Sequence, residues 1–324
     1  MLVAIQIRTR RWNGRGAKRE QHDDSCLRWR LCAFDRFFEI RKTATEYYKR
    51  VRHPIIDVCR LCQNQRELQG SHLLSAGFYR AVSDKTLKNP HPIFLTKDGA
   101  VQTSQQIRAH ALCSQCEQSL NKNGEDWMLD NFWKEHGGFP LRQKLKAIKP
   151  LGSIDGKAIY RGTAIGGVEV RKLSFFALSI FWRASLPVWR INRKRASFIS
   201  LGSKYEENLR QYLLSNADLE RSLSLWVWVS NSAEPVQMIN IPYGVRYEAF
   251  RVYHFVIPGL FFSLIVGAQQ PEGFRQHCFV KSANAPLLLA NDFDNFLYKR
   301  LFQSTDLARL EQPRKRNSRK SSSG

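Results

Sequence analysis

Two Cys-x-x-Cys pairs, Cys59/Cys62 and Cys113/Cys116, stand about fifty residues apart. No other feature of the sequence constrains its folding so tightly. Each pair turns the chain back on itself, through Arg60-Leu61 in one case and Ser114-Gln115 in the other, and can aim both its sulfurs at one point. Four soft thiolates are the set that closes a tetrahedral zinc site in small modules. The spacing therefore predicts one structural Zn²⁺ on Cys59, Cys62, Cys113 and Cys116. The total of 7 cysteines is odd, which favours chelation in a reducing cytosol over a disulfide framework and gives a cytoplasmic expectation. Cys26 and Cys32, in an irregular arm, read as free thiols, as does Cys278 in a strand-like run.

The balance of 51 Lys+Arg against 28 Asp+Glu leaves a formal charge of +23. A field of that sign attracts phosphate backbones through counterion release, whatever their sequence. Nucleic acid, with DNA as the expected form, is thus the predicted partner. The start, MLVAIQIRTRRW, places its arginines after a short apolar run, the reverse of a secretory signal. Phe175 to Leu186 is interrupted by Arg183 and Phe255 to Gly267 contains Pro258. Neither supplies the roughly 18 to 20 apolar residues that a bilayer core requires, so both read as buried core and no membrane partner is expected.

Hydrophobic residues make up 43% of the chain, enough for a sizeable core. Residues 1–55 form a basic extension, irregular except for a candidate basic helix from Cys32 to Val51. Residues 56–138 hold both cysteine pairs. The Gly- and Pro-rich stretches GGFP, KPLGSIDG and RGTAIGGVEV predict short hairpins leading into a larger α+β domain, 139–305, whose role the sequence does not name. There, RKLSFFALSIFWRASL reads as a buried helix stopped by Pro187, and YEENLRQYLLSN as an amphipathic helix capped by Ser203 with Glu206. SLWVWVS, VQMINIP, YEAFRVYHFVIPGLFFSLIVG and HCFVKSA read as strands of an antiparallel sheet. DFDNFLYKRLF predicts a last helix over 292–302, and the basic tail 306–324 is low in complexity. The fold class is α+β throughout.

Between the pairs stands Gln69-Gly70-Ser71-His72-Leu73-Leu74, and the second pair reads Leu112-Cys113-Ser114-Gln115-Cys116-Glu117, with Asn121 and Glu125 following. From Val58 to Trp127 this arrangement resembles the zinc-stabilised branch of the HNH endonucleases. The resemblance implies a small ββα, treble-clef-like module. Its first Cys pair would start a hairpin whose second strand bears a His general base, and its second would open a helix bearing metal ligands. His72 would then deprotonate the attacking water, a task suited to an imidazole near neutrality. Glu117 and Glu125 would help hold a catalytic Mg²⁺ or Mn²⁺ against the scissile phosphate of the nucleic acid. Family members usually carry an acidic residue or His before the base, where this chain has Ser71. They usually place His or Asn after the second pair, where it has Glu117 and then Asn121. Carboxylates suit both of these oxygen-seeking cations.

The connection from His72 to Cys113 exceeds what a minimal module needs. By default it reads as a solvated loop, with His91 and His110 as surface histidines. Phe181, Trp182, Trp226 and Trp228 read as core, while Trp189, in the cluster WRINRKR, pairs an aromatic face with charge as a base-stacking groove does. The leading expectation is therefore an HNH-like metal-dependent endonuclease cleaving phosphodiester bonds of nucleic acid; the alternative is a non-catalytic nucleic-acid-binding protein on a zinc scaffold, and a protein-interaction module ranks last.

Overall fold

A computed structural model describes residues 3–5, 54–83, 93–96, 99–102, 106–134, 138–191, 194–291 and 295. The chain begins with strand β1 (Val3–Ile5) and reaches the first cysteine pair through β2 (Ile56–Val58), which returns as β3 (Gln65–His72). A short helix α1 (Ala76–Ala81) leads to the strands β4 (Ile93–Thr96) and β5 (Gly99–Gln102). Then β6 (Arg108–Cys113) runs directly into helix α2 (Ser114–Leu120). A π-helical turn, Asn121–Glu125, links α2 to α3 (Asp126–Asn131). Pro140 opens α4 (Pro140–Lys146), placed where its missing amide costs nothing.

A hairpin of β7 (Gly152–Ile154) and β8 (Lys157–Arg161) follows. Its two-residue turn is Asp155-Gly156, with φ of 46° and 72°. Positive φ at both positions matches the twist of the flanking strands, and an Asp-Gly pair favours it. The long helix α5 (Val170–Ser185) comes next, then the ribbon of β9 (Trp189–Ile191) and β10 (Lys194–Ala196), and helix α6 (Ser203–Ser215). The chain ends in β11 (Leu223–Ser230), β12 (Met238–Arg246), β13 (Arg251–Ile257), β14 (Leu260–Val266), helix α7 (Glu272–Gln276) and β15 (Pro286–Ala290). Pro258-Gly259 turns β13 into β14, with Gly259 at φ 79°.

Ten strands form one sheet in the order β5-β4-β1-β12-β13-β14-β11-β15-β8-β7, and three more form a second in the order β2-β3-β6. Every pairing is antiparallel except that of β11 with β15. The α+β class with antiparallel sheets is therefore observed. α5 lies against the inner face of the large sheet, where Phe176 packs between Phe78 on one side and Phe255 and Phe262 on the other. One hydrophobic cluster runs from Cys59 through α5 to Leu289, across residue 138 without a break. No helix among the described residues is long and apolar enough to cross a membrane.

Several local expectations change. The connection after His72 is not merely a solvated loop, because β4 pairs with β1 and so adds to the large sheet. HCFVKSA forms turns rather than a strand, with the end strand instead at Pro286–Ala290. The amphipathic helix is capped by Gly202 and not Ser203, which is its first residue and makes no capping bond. Apart from Val3–Ile5 and Asn295, the arm 1–53, the helix expected over 292–302 and the tail 306–324 lie outside the described residues, as do Cys26, Cys32 and His91.

Candidate metal centre and the polar cluster beside it

Cys59 follows β2, and the chain reverses through Arg60 to Gln63, which adopts φ 60°. Two backbone bonds close this knuckle, Gln63 N–H to Cys59 O at 2.8 Å and Cys59 N–H to Asn64 O at 2.9 Å. Cys113 ends β6 opposite Leu68, and Cys116 lies in the first turn of α2. Between Gln69 and Gly70 the pairing of β3 with β6 shifts by one residue, leaving Ala111 unpaired in the ladder. Its buried carbonyl accepts instead from the Arg60 amide at 2.9 Å, so the bulge ties the knuckle to the strand that delivers Cys113.

The ligand atoms of all four cysteines lie within 4.8 Å of one another. Sulfurs around one tetrahedral ion stand about 3.8 Å apart, given metal–sulfur bonds of ~2.3 Å. Cys113 N–H donates to Cys59 Sγ at 3.3 Å, the kind of amide bond that stabilises a thiolate. Hydrogen bonding from the Cys116 thiol, helped by the amides of Cys113, Cys62 and Leu61, pulls the Cys59 thiol down to about 4 against the opposing effect of burial. The same pairing pushes Cys116 up, and burial raises Cys62. The converging thiols can hold a metal ion such as zinc.

Helix α6 braces this centre from the far side of the chain. Arg210, 8% exposed, donates through Nη1 to the carbonyl of Leu61 at 2.6 Å. Glu207 fixes the other edge of the guanidinium with two bonds of 2.7 Å, which hold its own carboxyl down at about 2.

His72, Glu117 and Glu125 lie around Arg183 of α5. The His72 carbonyl accepts from Arg183 Nη1 at 2.9 Å, whereas its ring Nε2 is buried without a hydrogen-bond partner. Burial, then the Arg108 charge, lowers the imidazole below its ordinary range, so it is neutral at pH 7. Glu117 follows Cys116 directly, and burial raises its carboxyl against the opposing Arg183 charge and a hydrogen bond from Ser71. Its Oε1 is likewise buried without a partner. Glu125, at the end of the π turn, is 5% exposed and ion-paired with Arg183 Nη2, which also donates to Ser179 Oγ at 3.2 Å. Among the described residues, three or more His, Cys, Asp or Glu ligand atoms converge at the four cysteines and nowhere else.

The spacing of the cysteines signals the metal centre, but Arg183 and Arg210 carry no motif. Their one sequence signal is a charge inside an apolar or amphipathic helical run. His110 is exposed, with Nδ1 3.3 Å from the Leu68 carbonyl. Phe181, Trp182 and Trp189 are fully buried, and Trp189 Nε1 donates to Arg183 O at 2.7 Å, which closes the base-stacking role expected of Trp189. Compared with known protein families, with curated proteins and with solved structures, the chain matches none.

Proposed function

We propose that this chain is a nucleic-acid-binding protein built on a structural zinc site. In this reading the HNH-like constellation serves as architecture rather than as a nuclease centre. The observation that carries the proposal is the buried ion pair of Arg183 with Glu125. A carboxylate already neutralised by a shielded guanidinium has little left to offer a divalent cation, and Glu117 is pushed by burial toward its neutral form. The zinc ion would be held by the four cysteines alone, a closed site with no position for substrate. The partner follows from the formal charge of +23. On the cysteine module Arg66, Arg80, Arg108 and Lys122 are exposed, where they can meet phosphates.

One observation favours a second reading, metal-dependent phosphodiester cleavage. The neutral His72 ring, with a buried Nε2 that has no partner, is in the protonation state a general base requires. Zinc-loaded protein incubated with supercoiled plasmid, single-stranded DNA and RNA, with Mg²⁺, Mn²⁺ or EDTA, separates the two. Salt-sensitive gel shifts without cleavage are the expected result. Cleavage that needs the added metal and is lost in His72→Ala would establish the nuclease instead, and neither shift nor cleavage would defeat both readings.

A further inference from the structure

The loop opening α6 and the turn joining β12 to β13 line a cleft of about 440 Å³. Arg246 and Arg251, the last cross-strand pair of that hairpin, stand directly opposite each other. Like charges at such a pair repel and destabilise a sheet unless something anionic lies between or beside them. Arg251 donates to the Ser200 carbonyl at 3.0 Å, and among the described residues neither guanidinium has an ion pair. Lys204 also lines the wall, but it is already paired with Glu220 at 3.3 Å, and Glu248 is the one carboxylate of the lining. In the same turn the rings of Tyr247 and Phe250 stack at 4.8 Å and 16°, with Tyr247 45% exposed. The Tyr247 amide donates to Phe250 O at 2.9 Å and holds the turn closed.

A cationic pair beside a presented aromatic face is the combination that grips single-stranded nucleic acid, where phosphates track positive charge and bases stack on rings. We propose that this cleft takes one nucleotide unit of a single strand, its phosphate against Arg246 and Arg251 and its base on Tyr247. The assignment rests on the nucleic-acid-binding reading and adds to it a location and a preference for unpaired strands. A duplex keeps its bases stacked on one another and can offer the cleft only phosphate.

The test is fluorescence anisotropy of full-length, zinc-loaded protein with a labelled oligothymidine and with a duplex of equal length, across a salt series. The variants are Tyr247→Ala, Tyr247→Phe and Arg246→Gln, each first matched to the parent in melting temperature. Tyr247→Ala should weaken single-strand binding by about tenfold while leaving the duplex unchanged, and Tyr247→Phe should keep parental affinity. Arg246→Gln should flatten the slope of log K against log salt by about one. As a readout independent of these variants, a strand carrying 5-iodouracil should photocrosslink within residues 246–251. Parental affinity and slope in every variant, with crosslinks elsewhere, would overturn the cleft while nucleic-acid binding stands. Failure of the parent protein to bind either probe would overturn both.

Discussion

Arg183 Nη2 donates to Glu125 Oε1 across 58 positions of sequence, and the two side chains are only 1% and 6% exposed. The same guanidinium holds the carbonyl of His72. One side chain of the long helix therefore secures both the end of β3 and the end of the π turn. Burying two charges is costly, and the pair is sustained by its mutual attraction and added hydrogen bonds.

Removing either partner alone strands the other charge in the core. Arg183→Met and Glu125→Leu should each lower stability by ~3–5 kcal/mol. The double variant should recover much of that loss. Urea denaturation of all four proteins measures the coupling, and additive losses would mean that the pair does not act as a unit.

Cys113→Ser removes one of the four converging thiols while leaving the backbone amide that donates to Cys59 Sγ in place. Zinc measured by mass spectrometry should fall from one ion per chain to well below one, with a lowered melting temperature. Cys278→Ser, outside the cluster, should keep the full metal content. Stripping the parent protein with a strong chelator should reproduce the Cys113→Ser melting curve.

The lowered proton affinity of His72 has a pH signature. A base whose folded pKa lies below its unfolded value of 6.5 contributes stability at higher pH, and this is lost as pH falls through 6.5, where the unfolded chain takes up the proton first. NMR titration should place the ring below 6.5, and His72→Gln should flatten the stability profile on the acid side of neutrality.

Gly124 reverses a familiar rule. Replacing a helical glycine by alanine usually stabilises by about 1 kcal/mol. Here the added Cβ would meet Phe176 N at 2.7 Å and Phe176 Cα at 2.9 Å, backbone that cannot step aside. Gly124→Ala should cost ~2 kcal/mol in thermal or urea unfolding, because the π turn and α5 would be forced apart.

What the sequence makes legible is what local chemistry dictates. The cysteine spacing marks the four converging thiols, and the apolar run stopped by Pro187 marks α5. The misses are long-range. Pro286–Ala290 is too short and uniform to announce a strand, and its parallel pairing with β11 depends on a partner some sixty positions away, matching Val227 to Leu287. HCFVKSA has strand composition, yet bonds such as Phe279 N–H to Leu225 O at 2.7 Å hold it in turns beside the sheet. Arg183 reads as an interruption of an apolar helix, and its partner is visible only once α5 lies across the π turn.

The excursion after His72 carries a lesson for dissecting this protein. Between its two cysteine pairs the chain departs to lay β4 against β1 in the large sheet, then returns to deliver Cys113. The four converging cysteines are thus interleaved with the body of the protein and not appended to it. A fragment cut near residue 138 would leave β4 without β12 behind β1, Glu125 without Arg183, and the Leu61 carbonyl without Arg210. Expressed alone, such a piece would be a poor surrogate for the whole, and a failure to fold in isolation would say nothing against its cysteines as ligands. A unit meant to keep the four cysteines in this setting has to extend at least through α6 and include the large sheet that β4 joins.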